Sequence, residues 1–100
     1  MLGTLKRTAD FERVRREGTR WRGHCCTLSV ARAAQADAPT RVGYIASRAL
    51  GKAVKRNRAR RLLREAMRRL ADRLPPGWDI VLIAQPSLAE PKMRMMHVYA

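Results

Sequence analysis

Residues 51–70, GKAVKRNRARRLLREAMRRL, combine helical spacing with an extreme charge. Between Lys52 and Arg73 stand ten Lys or Arg against two acids, Glu65 and Asp72. At about 100° per residue, Ala59, Leu62, Leu63, Ala66, Met67 and Leu70 fall on one stripe, with Asn57, Arg61, Arg64 and Arg68 roughly opposite. The spacing predicts a helix from about Lys52 to Arg73, stopped by Pro75, Pro76 and Gly77. One face packs and the other is offered to a partner. Lys55 and Arg56 lie on the apolar side of the wheel, so the first turn is expected to project beyond the core. Cations there oppose the helix dipole at a cost on the order of a few tenths of a kcal/mol each, a penalty that a bound phosphate reverses.

A charged helix face is ordinarily solvated surface. Here the excess is of one sign, the acids that would pair it at i, i+4 are nearly absent, and the face is continuous, so a polyanion is the expected partner. A membrane-surface helix would want bulky Trp, Phe or Leu on its apolar side. Ala59, Ala66 and Met67 are instead sized for packing on a sheet.

The whole chain carries the same bias. Its 100 residues, 46% apolar, suit one small domain with a marginal core, and a catalytic cleft is hard to build inside it. Twenty-two Lys plus Arg against eight acids give a formal charge of +14, a self-repulsion that favours a polyanion-bound working form. Arg far outnumbers Lys, and its flat fork suits phosphate and base edges. No run of about eighteen apolar residues exists and MLGTLKRT lacks the apolar stretch of a signal peptide, so a cytoplasmic protein without membrane contact is expected. Cys25 and Cys26, as neighbours in an extended strand, are expected on opposite faces and poorly placed to bridge each other. With His24 they lack a fourth ligand at a recognised metal spacing, and His97 is far along the chain. No nucleophile–base pair, carboxylate dyad or metal cluster stands out.

Around the basic helix, Asp10 to Glu17 reads as a short helix capped by Thr8 or Asp10 and ended by Gly18. CCTLSVA, 25–31, and RVGYIAS, 41–47, read as strands joined by AAQADAPT, with TRWRG as an edge strand before them. WDIVLIA, 78–84, is a continuous apolar run of a buried strand. SLAEPKMRMMHVYA, with Pro91 inside it, has no firm assignment.

GKAVKRNRARRLLRE, 51–65, also closely resembles the signature of the protein subunit of bacterial ribonuclease P. In that family an Arg-Asn-Arg triplet, here Arg56-Asn57-Arg58, follows a Gly-x-Ala-Val step. LKRTADFERVRREGTR resembles the family's opening helix, RVGYIASR the strand before the signature and WDIVLIAQP the strand after the helix, so the likeness covers roughly residues 5 to 86. It implies an α+β fold: a small two-layer sandwich of a mostly antiparallel sheet with helices, like the second domain of ribosomal protein S5. The long basic helix would lie in a left-handed βαβ crossover, opposite to the hand that general rules predict. Residues 1–100 would form a single RNA-binding domain whose C-terminal helix, after about residue 86, is short or atypical.

The resemblance also implies a function. The family helps a catalytic RNA remove the 5′ leader of precursor tRNA, the RNA holding Mg²⁺ and performing hydrolysis, with no cofactor on the protein and no protein oligomer required. By position, Lys52, Arg56, Asn57, Arg58, Arg60, Arg61, Arg64 and Arg68 would meet the catalytic RNA and the precursor. Phe11, Arg15, Ser47 and Arg48 would line a leader cleft, where a ring stacks on an unpaired base. Phe11 read without the family is a plain core residue. Arg15 and Ser29 stand where relatives often place aromatics, which shifts the expected grip from stacking towards charge. Two other classes share the composition. A ribosomal or general RNA-binding protein would have no reason for the Arg-Asn-Arg signature, and a DNA reader would need heptads or a helix-turn-helix pair that the chain does not show.

Overall fold

The computed structural model describes residues 2–86. In order they form β1 (Gly3–Thr4), α1 (Thr8–Glu17), β2 (Thr19–Arg22), β3 (Cys26–Arg32) and β4 (Arg41–Ile45). A 3-10 turn at Arg48–Leu50 leads into α2 (Ala53–Leu70), which tightens into a second 3-10 turn at Ala71–Arg73 before β5 (Trp78–Ala84). The segment from Ser87 onward, including Pro91, lies outside the described residues.

All five strands make one sheet in the order β1-β4-β5-β3-β2. The fold is α+β as expected, and the sheet is mixed. β3 runs antiparallel to both β5 and β2, while β4 runs parallel to both β5 and β1. The longest register is antiparallel, Cys26↔Ala84 through Arg32↔Trp78. α2 is the crossover between the adjacent parallel strands β4 and β5.

Successive residues of β5 point to opposite faces, which separates two cores. Ile80, Leu82 and Ala84 join Val42, Ala46, Ala59, Leu63 and Met67 under α2. Val81 joins Leu5, Val14 and Ala31, with Phe11, Ile45 and Ile83 packed alongside, under α1. A strand covered on both faces reads as the unbroken apolar run that WDIVLIA is. The helices therefore lie on opposite faces, and the layering goes beyond two layers where both cover β5.

The α2 stripe behaves as its spacing predicts: Ala59, Leu63, Ala66 and Met67 are buried, Leu62 and Leu70 half-buried. β1 was not foreseen, since two residues are too short to show alternation. Neither Thr8 nor Asp10 caps α1. The cap position is Arg7, with no side-chain bond, because Thr8 is already helical and Asp10 faces Arg41 from the first turn. The cysteines also depart from expectation. Cys25 precedes β3, so strand alternation does not apply to it, and the two Sγ atoms lie 4.0 Å apart within one apolar cluster. Burial pushes the Cys26 thiol up to about 12, with the neighbouring Cys25 adding to it. Entry to β5 depends on Gly77, at φ 89°, where a Cβ would come within 2.3 Å of the Ala36 carbonyl oxygen.

Candidate nucleic-acid interface

With one side of α2 buried, its other side carries Asn57, Arg61, Arg64 and Arg68, all exposed. With Val54 they border a shallow groove along the helix, which Arg58 and Arg60 also line. The Asn57 Oδ1 accepts a hydrogen bond from Arg60 at 2.7 Å, which engages the oxygen and leaves the amide N–H groups as its donors. Arg64 lies 5.5 Å above the centre of the Tyr44 ring, a cation–π contact that braces the guanidinium on β4. Burial raises the Tyr44 phenol above its ordinary value, and the Arg64 charge opposes that rise.

Not every cation on this face is equally available. Glu65 accepts from Arg68 at 2.5 and 2.6 Å and lies 3.6 Å from Arg69, and the Arg68 hydrogen bond holds its carboxyl below the usual value. Sequence spacing understated this acid. Arg61 forms no ion pair among the described residues. Lys52, at the cap position, is exposed and supplies no side-chain cap. Arg56 is half-buried, and its Nε finds no hydrogen-bond partner among the described residues.

Of the other expected residues, Phe11 and Arg15 lie on α1 and Ser47 and Arg48 follow β4. Phe11 is half-buried, its ring packed closely on Gly43 of β4: a Cβ there would sit 2.4 Å from the ring. It is thus packed against the core beside Leu5 and Val14 while part of its surface stays exposed. Arg15 is exposed one turn further along α1, and Ser47 and Arg48 are exposed just past the end of β4. These two open the connection that leads to Lys52, so the chain runs directly from them to the start of α2.

Sequence reasoning missed what holds α1 down. Asp79 is fully buried between α1 and the sheet and is bound by Arg13 from α1. Arg41 from β4 holds it too, at 3.0 and 2.9 Å. Asp10 approaches the same Arg41 at 3.8 Å. Burial alone would raise the Asp79 carboxyl, but hydrogen bonds and charge from Arg41 and then Arg13 outweigh it, and the net shift is downward. The signal was present as a lone acid in an otherwise apolar run, since a buried carboxylate requires a cation partner. Ser29 is also buried on this face, its Oγ without a hydrogen-bond partner among the described residues.

No helix among the described residues is long and apolar enough to cross a membrane. No three His, Cys, Asp or Glu side chains among them gather to hold a metal ion.

The sequence profile of the Ribonuclease P family matches residues 3–98. A ribonuclease P protein component of Roseiflexus sp. (strain RS-1) is 42% identical over 87 residues, 86% of this chain and 70% of the relative. One of Symbiobacterium thermophilum is 46% identical over 81 residues, 81% of this chain and 70% of the relative. Among solved structures, the RNase P protein of Thermotoga maritima superposes with a TM-score of 0.81 at 29% identity, covering 95% of this chain and 86% of that one. That of Staphylococcus aureus gives 0.81 at 25%, covering 95% and 84%. By this profile match, these identities and these superpositions, the chain belongs to the ribonuclease P protein family.

Proposed function

We propose that this chain is the protein component of a ribonuclease P, binding the catalytic RNA and the 5′ leader of precursor tRNA while the leader is cut away. The observation that carries the reading is the division of α2: Leu63 and Met67 are buried on the sheet, while Asn57, Arg61 and Arg64 stand exposed on the outer side. Arginines there neutralise phosphates, and the Asn57 amide N–H groups can donate to acceptors on RNA. A bound phosphate would also give the buried Arg56 Nε the acceptor it lacks and offset the cations in the first helical turn. Hydrolysis belongs to the RNA with its Mg²⁺, and the protein supplies affinity and position in the cytoplasm, where no second copy of the chain is required.

The test is cleavage of precursor tRNA by the cognate RNA subunit at low Mg²⁺, with and without the protein. The protein alone is expected to cut nothing and the pair to cut faster than the RNA alone. Robust cleavage by RNA-free protein would overturn the assignment. Equal affinity for precursor and mature tRNA would instead indicate a general RNA-binding protein.

A further inference from the structure

Strand register places further residues on the sheet face against which α1 packs. On the α1 face, Ile45 stands opposite Ile83, Ile83 opposite Thr27, and Thr27 opposite Arg22. The next row runs Gly43, Val81, Ser29, Arg20 in the same way. Directly paired residues share a face, so Arg20 and Arg22 stand on the face that carries Phe11 and Arg15. All four residues of β2 are exposed, β2 is the sheet edge, and neither Arg20 nor Arg22 forms a salt bridge among the described residues. Between the two ends, Gln85 donates from Nε2 to the Thr27 Oγ1 at 2.5 Å, which leaves its carbonyl oxygen as an acceptor.

These rows cross three strand spacings, roughly 14 Å from β4 to β2 at about 4.8 Å each. Ser47 and Arg48 lie past one end and two arginines stand at the other. Two residues along one strand separate Arg20 from Arg22 by about 6.8 Å, a spacing for following a backbone, since phosphate contacts position a strand without reading its bases.

We propose that Arg20 and Arg22 form the far end of the leader track, holding the phosphates of single-stranded RNA upstream of the nucleotides that meet Phe11, Arg15, Ser47 and Arg48. This rests on the reading that the space beside α1 takes the leader. Its consequence is dependence on leader length with little dependence on leader sequence at those upstream positions.

The experiment uses the assembled enzyme, protein plus RNA subunit, and precursors whose leaders grow one nucleotide at a time. With the unchanged protein, affinity should rise with leader length and then level off. In the Arg20→Ala/Arg22→Ala variant it should level off at a shorter leader, leaving long-leader precursors about tenfold weaker. Affinity for mature tRNA and for the RNA subunit should stay the same, and the salt slope for long-leader precursors should fall in magnitude by about 1.4, two contacts at about 0.7 each. The Arg20→Lys/Arg22→Lys protein, which keeps the charge, should recover most of the length dependence. An unchanged length profile in the alanine variant overturns the proposal, as does a loss shared equally by mature tRNA or by assembly, which would place these arginines on the RNA subunit. Failure of the unchanged protein to prefer precursor over mature tRNA overturns the parent reading instead.

Discussion

The two helices are fastened to the same sheet by different physics. α2 is held by apolar packing, Leu63 and Met67 against Ile80 and Leu82, so its outer cations are not needed to fasten it: Arg61 forms no ion pair among the described residues, Arg64 lies over Tyr44, and Glu65 engages Arg68 and Arg69. α1 is held partly by Val14 and Phe11 and partly by the charges of Arg13 and Arg41 on buried Asp79. A count of basic residues treats both regions alike, yet on α1 and β4 two of those cations already serve the fold. Where a helix must offer charge outward, an apolar underside leaves it free to do so. Where charge itself fastens the helix, its loss damages fold and site together.

The largest effect should come from emptying the apolar side. Leu63→Ala removes packing worth about 2 to 5 kcal/mol and should lower the Tm by roughly 10 °C or more, while the folded fraction keeps its RNA affinity. If that variant stayed fully stable and lost RNA binding, the two faces of α2 would be wrongly assigned. On the other helix, Asp79→Ala leaves two arginines facing an empty buried site. It should cost about 2 to 3 kcal/mol, less than the ~3–5 of a fully buried pair because both arginines reach solvent, and calorimetric melts would show it. RNA affinity of the folded fraction should fall as well, since α1 carries Phe11 and Arg15. Loss of stability with no change in binding would sever the link between the clamp and the proposed leader site.

Smaller differences separate neighbouring arginines. Arg61→Ala should leave stability within about 0.5 kcal/mol and weaken RNA binding by about 1 to 3 kcal/mol. Arg64→Ala should weaken binding similarly and also cost about 0.5–1 kcal/mol of stability, because it lies over Tyr44. Equal melts for the two variants would show that stack to be idle. The subtlest effect is in acid. Asp79 has a lowered carboxyl, so its stabilising contribution is complete above its unfolded value near 3.8 and is lost as pH falls through the lower folded value. Melts should therefore be insensitive to this group between pH 7 and pH 5 and should weaken below about pH 4, and Asp79→Asn should flatten that acid limb.

How legible the molecule is in its sequence follows the same division. α2, its buried stripe and its exposed arginines are fixed by a long local period, and β5 by an apolar run bounded by Gly77, so both could be read from neighbours in the chain. The clamp joins residues 13, 41 and 79, and no local period connects them. Asp79 could be noticed as out of place but not paired. The approach of Cys25 and Cys26 escaped for a related reason: the alternation rule holds only inside a strand, and β3 begins at Cys26. Of the proposed interface, the α2 half was readable from spacing. The proposed α1 half came through family likeness, and its proposed extension to Arg20 and Arg22 needed the strand register.

The central claim is that the outer face of α2 binds RNA through its charges while the inner face holds the fold. The most direct test is a salt titration of RNA binding by the unchanged protein and by Arg61→Ala, with melts confirming that both are folded. The log–log slope should be steep for the unchanged protein and smaller in magnitude by about 0.7 to 0.9 for the variant, the share of one phosphate contact. A slope near zero in the unchanged protein, or an identical slope in the two, would contradict it.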